Sequence, residues 1–154
     1  MELKSDAFQN DQRLPNEFTC DGPGVSPPLY WIDPPSGTHA FALIADDPDA
    51  PRGVFTHWLI YNIPGDRTQL QLAVPQVETM TTPTLQGVNS AGSIGYSAPC
   101  PPPGGQPHHY RFTLYALDAP LDLRGGDDRQ QVEQAMQGRV LDQARLVGLF
   151  SRPG

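Results

Sequence analysis

Three long stretches of the chain carry apolar patterns that predict β-strands. His39–Ala45 is apolar at both alternating positions, which predicts a strand covered on both faces of its sheet. Val54–Ile63 is rich in β-branched and aromatic residues and ends at Pro64–Gly65, as is typical of a strand that enters a turn. Tyr110–Leu117 places apolar side chains at every second position, so one of its faces is predicted to point into the core.

Two shorter stretches and one helical segment complete the predicted elements. Leu29–Asp33 is bounded by proline pairs and predicts a short strand. Asp127–Met136 predicts a short helix, because it begins with aspartates that can cap a helix and is followed by Gly138. Ala144–Phe150 predicts a last strand, because Gly138 and Gly148 weaken the helical alternative. The chain is therefore predicted to be mainly β, a sandwich with one peripheral helix.

Composition agrees with this class and excludes several others. The 154 residues include 18 Pro and 15 Gly, which interrupt long helices, and the length suits a single domain over residues 1–154. A net charge of −7 argues against a nucleic-acid partner, since such a partner requires a basic surface. No apolar stretch has the length of a signal peptide or a membrane span, so a cytoplasmic location is predicted.

The two cysteines of the chain, Cys20 and Cys100, are too few for a disulfide framework and lack the spacing of a metal site. We therefore expect free thiols first and a single disulfide second.

One segment does not fit a plain sandwich. Between Thr82 and His109 no periodic element is recognisable, and within it Pro99–Pro107 packs five Pro and two Gly into nine residues. Unstructured stretches of this length in a compact domain are either surface excursions without a role or functional loops. Proline stiffens such a loop, which can then hold backbone N–H groups at a fixed distance from a ligand.

Polar residues flank this loop in a pattern that suggests a site. Asp47 and Asp49 lie in a proline-containing turn just before the strand that carries His57. Strict alternation places His57 on an apolar face, so its ring points to the core or to a pocket. His108 shares a face with Tyr110 at the start of another strand. If the two strands are neighbours, these side chains converge.

Three chemistries could use that set of residues. For His57 taken alone, the alternative is a histidine that packs in the core and has no functional role. A metal site would take two histidines and an aspartate, although no close His spacing supports it. Nucleophilic catalysis would take Cys100 as thiolate, His57 or His108 as base and Asp47 to orient the base. Anion recognition would take the histidines, the Tyr110 hydroxyl and loop N–H groups as donors.

Two sets of short motifs stand out along the chain. The first set is Asp47–Pro51, His57–Trp58, Tyr61–Pro64, Gly87–Asn89, Gly95–Pro102 and His108–Phe112. The second set is Thr19–Gly22, Ser26–Leu29 and Ala135–Leu141. The first set resembles the phosphatidylethanolamine-binding protein family, and the second resembles its bacterial Raf-kinase-inhibitor-like YbhB/YbcL branch. The resemblance runs from about Phe8 to Arg152.

This resemblance implies a sandwich with a large antiparallel central sheet, a smaller sheet, a peripheral helix in the C-terminal region and a shallow pocket for phosphate-like anions. Cys100 would contribute its backbone N–H. Ala98 and His109 stand where the family usually has Gly and Arg. The ligand-binding residues implied by motif position are Asp47, Pro48, Asp49, His57, Cys100, Pro102, His108 and Tyr110.

The function implied is a non-catalytic regulatory module that binds an anionic phosphate group on a phospholipid head group, a nucleotide or another phosphorylated ligand, without cofactor or metal. A regulated kinase or protease and a second copy of the chain are further partners that the resemblance implies. Two alternatives stay open at this point. One is a hydrolase that uses Cys100 and a histidine, and the other is a protein inhibitor that acts through the proline-rich loop.

Overall fold

The computed structural model describes all 154 residues, as nine strands and one α-helix. A single 3-10 turn, Asn16–Phe18, lies between the second and third strands. The elements are β1 Glu2–Lys4, β2 Gln12–Arg13, β3 Leu29–Ile32, β4 Ala40–Asp47, β5 Phe55–Pro64, β6 Gln69–Leu70, β7 Leu85–Gln86, β8 His108–Leu117, α1 Arg129–Met136 and β9 Val140–Phe150.

The strands form two sheets, as predicted. The large sheet has the order β2-β9-β8-β4-β5-β7, and the small sheet has the order β1-β3-β6. All pairs are antiparallel except β2 and β9, which run parallel at one edge of the large sheet. The mainly β sandwich with one peripheral helix is confirmed.

Strand β4 lies at the centre of the large sheet and is buried over its whole length, which confirms that both of its faces are covered. Phe41, Leu43 and Ala45 belong to the core cluster that includes residues of the small sheet. Ala42 and Ile44 point the other way and pack in the cluster that includes buried residues of α1. The pattern of apolar residues at both parities follows from this position between two layers.

The helix begins where its sequence predicts. The Asp128 carboxylate accepts the N–H of Gln131 at 2.9 Å, and the Gln131 side chain accepts the N–H of Asp128 at 2.9 Å. This reciprocal pair is a capping box, which satisfies two of the free N–H groups at a helix start. Val132 and Met136 are the buried residues of the helix, and Gly138 adopts a positive φ of 77° just beyond its end.

Strand β5 contains a bulge at His57 that the sequence does not reveal. Ala45 pairs with Trp58 and Asp46 pairs with Thr56, so His57 is an extra residue between two paired positions. The ring of His57 does point into a pocket, as predicted, but it does not share the face of Leu59 as strict alternation requires, because Leu59 packs in the cluster next to α1. The bulge turns the His57 ring to the opposite face of the sheet, as bulges near functional sites commonly do.

No helix of the chain is both long enough and apolar enough to cross a membrane. The cytoplasmic location stays a prediction.

Candidate functional site

A pocket of about 260 Å³ opens at the end of β4, where the starts of β5 and β8 meet the proline-rich loop. Six of the eight predicted ligand-binding residues line it, and Pro48 and Asp49 do not. The lining residues are Asp47, Ala50, Pro51, Phe55, His57, Ser97, Ala98, Cys100, Pro101, Pro102, His108 and Tyr110.

The two histidine-bearing strands are not neighbours, so the condition set out from the sequence is not met. Strand β4 lies between β5 and β8 and pairs with both. The side chains nevertheless converge, because the bulge turns His57 towards Tyr110, and the two ring centroids are 5.4 Å apart. Asp47, the last residue of β4, completes the group from the strand in between.

Asp47 holds the ring of His108 in place. The Nδ1 atom of His108 lies 2.7 Å from Oδ2 of Asp47, and the other carboxylate oxygen accepts the N–H of Asp49 at 2.8 Å. The Asp47 side chain is only 5% exposed and that of His108 is 13% exposed. A carboxylate oxygen accepts and Nδ1 donates, so the Nε2 atom of His108, which has no protein partner, is left for the pocket.

His57 is oriented by a backbone carbonyl. Its Nδ1 lies 2.7 Å from the carbonyl oxygen of Ser97, and its ring packs 4.6 Å from the ring of Phe55, centroid to centroid. Burial lowers the pKa of His57 below its ordinary value, and the hydrogen bond to Ser97 offsets only part of that effect. The ring is therefore neutral at pH 7, with the proton on Nδ1 and the lone pair on Nε2.

Tyr110 supplies a hydroxyl that stays protonated. Its ring is buried and lies 6.3 Å from the ring of His108, with the two planes tilted by 20°. Burial, followed by the nearby Asp47 carboxylate, raises the pKa of Tyr110 well above its ordinary value. The hydroxyl is thus a hydrogen-bond donor over the whole neutral pH range.

Asp49 lies outside the pocket and pairs with His109. Its Oδ2 accepts the backbone N–H of His109 at 2.8 Å and lies 2.7 Å from Nδ1 of the same residue. These hydrogen bonds hold the pKa of Asp49 below its ordinary value. A ligand-binding role for Asp49 and for Pro48 stays a prediction.

The expectation of free thiols is wrong, because Cys20 and Cys100 form a disulfide between residues 80 positions apart. The local sequence around each cysteine carries no sign of this pairing, which only the folded topology creates. Cys100 lines the pocket, and its backbone N–H donates to no protein acceptor. The neighbouring Ala98, in place of the usual Gly, adopts no positive φ, so the loop accommodates it without strain.

Six lining residues were not predicted from the sequence. Five of them belong to the quoted motifs Asp47–Pro51 and Gly95–Pro102, so extending the site along those motifs would have found them: Ala50, Pro51, Ser97, Ala98 and Pro101. Phe55 lies outside the motifs, and nothing in its apolar side chain marks it as part of a site.

Two of the chemistries weighed from the sequence need groups that this structure does not bring together. There is no group of three or more His, Cys, Asp or Glu side chains that could hold a metal ion. In the disulfide form seen here, the proposed nucleophile Cys100 has no thiolate. Ser97 lines the pocket, but its hydroxyl makes no hydrogen bond to either histidine. The arrangement that remains is a set of oriented rings, a phenol and a free N–H around one opening.

A second polar cluster lies on the opposite face of β4, and the sequence did not indicate it. Asp46 accepts Arg111 Nε at 2.7 Å and Arg111 Nη2 at 2.9 Å, and it accepts Arg129 Nη1 at 2.9 Å. The same guanidinium of Arg129 donates to the Thr56 hydroxyl at 3.1 Å. This cluster ties the first turn of α1 to the end of β4 and so supports the strand that carries Asp47.

Comparison with known proteins gives a consistent result. The family model described as phosphatidylethanolamine-binding protein matches residues 4–151. A UPF0098 protein of Methanothermobacter thermautotrophicus is 48% identical over 152 residues, covering 99% of each chain, and one of Aquifex aeolicus is 44% identical over 153 residues, covering 99% of this chain and 89% of that protein.

Two solved structures share the fold. A phosphatidylethanolamine-binding protein homologue from Chlamydia trachomatis is 35% identical with a TM-score of 0.89, over 98% of this chain and 97% of the other. YbcL of E. coli is 28% identical with a TM-score of 0.90, over 97% of each chain. Motifs, fold and relatives agree, and the chain belongs to the phosphatidylethanolamine-binding protein family, in the branch that contains YbcL.

Proposed function

We propose that this chain is a non-catalytic binding module for a small anionic ligand that carries a phosphate group. The observation that carries the proposal is the common orientation of the two pocket histidines. Each Nδ1 is engaged by a protein acceptor, Ser97 or Asp47, and neither Nε2 has a protein partner. The Tyr110 hydroxyl and the free N–H of Cys100 add two donors at the same opening.

These groups bind an anion in a proton-linked manner. A neutral ring with its proton on Nδ1 offers a lone pair at Nε2, whereas a protonated ring offers an N–H donor there. An anion therefore favours the protonated rings and raises their pKa, including that of His57, which burial lowers in the free protein. Since the bound state holds more protons than the free state, anion affinity increases as pH falls.

The overall charge of −7 does not oppose this proposal. Charges on the surface are screened over about 8–10 Å at ordinary ionic strength, whereas the pocket donors contact the ligand directly. Asp47 is the lining residue with a carboxylate, and its Oδ2 is already engaged by Nδ1 of His108 at 2.7 Å.

Isothermal titration with sulfate and with inorganic phosphate tests the proposal. Sulfate remains a dianion across the neutral range, so any pH dependence of its affinity reports the protein alone. We expect both anions to bind, and sulfate to bind more tightly at pH 6 than at pH 8. Absence of binding at tens of millimolar of either anion would contradict the proposal.

A pair of adjacent histidines supplies a matched control. His108→Gln removes the unpartnered Nε2 of the pocket and is expected to weaken phosphate binding about tenfold, the value of one charge-assisted hydrogen bond. His109→Gln alters the next residue, which faces Asp49 outside the pocket, and is expected to leave the affinity unchanged. Equal losses in the two variants would place the anion elsewhere.

A homodimer and an inhibitor role on a kinase or protease through the proline-rich loop remain predictions of the resemblance, and the cytoplasmic location remains a prediction from the apolar pattern of the sequence.

A further inference from the structure

The Cys20–Cys100 disulfide lies at the edge of the candidate pocket and is open to solvent. Cys100 is itself a lining residue, and both half-cystines are exposed. Exposed disulfides are those that reductants reach and that serve in regulation, whereas buried structural ones resist reduction. We propose that this disulfide is a redox site that controls the affinity of the pocket for its anionic ligand, an inference that rests on the proposed function.

The Pro99–Pro103 segment, which carries Cys100, makes few hydrogen bonds to the rest of the protein. Pro99–Pro103 contains four prolines, which have no N–H to donate, and the remaining N–H, that of Cys100, donates to no protein acceptor. Besides the packing of the buried Pro99 and Pro101 rings, the segment is therefore held through its carbonyl oxygens and through the S–S bond.

Three hydrogen bonds remain when the S–S bond is broken. The N–H of Cys20 donates to the carbonyl oxygen of Pro99 at 3.0 Å, and the N–H of Gly104 donates to that of Arg152 at 2.8 Å. The Arg152 guanidinium donates to the carbonyl oxygen of Pro101 at the long distance of 3.3 Å. Each of these contacts is individually weak, so reduction is expected to loosen the segment without releasing it completely.

Loosening this segment acts on the pocket directly. Cys100, Pro101 and Pro102 form one wall, and Ser97, just before them, accepts the hydrogen bond that orients His57. A ligand that binds the reduced protein must order this wall again, and that ordering opposes binding. By reciprocity, a bound ligand must make the disulfide harder to reduce.

A dithiol can reduce the Cys20–Cys100 disulfide in two thiol–disulfide exchange steps. A thiolate of the dithiol attacks one sulfur of the disulfide, which forms a mixed disulfide and releases the other protein sulfur as a thiolate. The second thiol of the reductant then displaces the protein from the mixed disulfide. The protein gains two electrons and two protons and ends with two thiols, and the dithiol is oxidised to a cyclic disulfide.

Titration of inorganic phosphate into the oxidised protein and into the protein reduced with dithiothreitol, an uncharged dithiol, tests the inference. Coupling between two sites typically changes affinity by at least about fivefold, and we expect the reduced protein to bind phosphate at least that much more weakly. The double variant Cys20→Ser/Cys100→Ser is the matched control. It should bind like the reduced protein and should not respond to dithiothreitol.

A second measurement separates local loosening from unfolding. Amide hydrogen exchange of Cys20 and Gly104, whose N–H groups donate to Pro99 and Arg152, should accelerate on reduction, while exchange in β4 and β8 should not. Equal phosphate affinity of the oxidised and reduced forms would overturn this inference and leave the proposed function intact. Failure of both forms to bind phosphate would overturn the proposed function and this inference with it.

Discussion

Asp46 and Asp47 are neighbours at the end of β4, yet their carboxylates serve two different regions of the molecule. Both residues are 4% exposed. Because successive residues of a strand point to opposite faces, Asp46 faces α1 and Asp47 faces the pocket. Asp46 meets two guanidinium groups, which are permanently charged, whereas Asp47 meets one imidazole ring, which is charged only when it is protonated.

This difference shows that burial alone does not identify a functional carboxylate. In the polar cluster of Asp46, the carboxylate oxygens accept hydrogen bonds from Arg111 and Arg129, so the carboxylate is fully paired within the protein. The pocket is open, since Asp47 and His108 leave a nitrogen without a protein partner beside the rings of His57 and Tyr110. The pocket differs from the Asp46 cluster in two ways. The partner of its carboxylate is a histidine, which can gain or lose a proton, and one nitrogen of that histidine has no protein partner.

The largest effect is expected from Asp46→Ala. This substitution leaves two partly buried guanidinium groups without their carboxylate, and we expect it to lower the free energy of unfolding by about 2–4 kcal/mol. Urea denaturation measures this change. Phosphate affinity of the folded variant should stay within about twofold of the original protein, because the pocket donors lie on the other face.

Glu133→Ala is the control for Asp46→Ala. Glu133 contacts Arg129 at 3.3 Å but is 52% exposed, so its removal should change the free energy of unfolding by less than about 0.5 kcal/mol. If Asp46→Ala abolishes phosphate binding while the protein stays folded, the division into two regions is wrong.

A smaller effect is expected from Tyr110→Phe. The substitution keeps the buried ring and removes only the hydroxyl that we place in the pocket, so phosphate affinity should fall about tenfold. Isothermal titration measures this change. Tyr115→Phe is the matched control, because Tyr115 lies on the same strand and packs against the cluster next to α1. Unchanged affinity in Tyr110→Phe would remove the hydroxyl from the site.

The sequence was sufficient for the long elements of the fold. Five predicted strands and the helix are present, because their apolar periodicity and capping residues are local signals. The predicted last strand begins earlier than expected, at Val140. The two-residue strands β2, β6 and β7 are too short to produce a period, so they could not be predicted.

The lining of the candidate pocket was predictable in part, but its geometry was not. The motifs selected six residues that do line the pocket, among them His57 and His108. The bulge at His57, the position of β4 between the two histidine strands and the pairing of Cys20 with Cys100 all depend on contacts between residues distant in sequence. Such contacts leave no local pattern in a single chain.

Nuclear magnetic resonance of the histidine rings tests the central claim most directly. The chain has four histidines, and two of them, His39 and His109, lie outside the pocket and serve as internal controls. With ring nitrogens labelled, added inorganic phosphate should shift the Nε2 signals of His57 and His108 and raise the pKa of both rings, while the other two histidines stay unchanged. Phosphate that moves all four rings equally, or leaves His57 and His108 unaffected, would contradict the account.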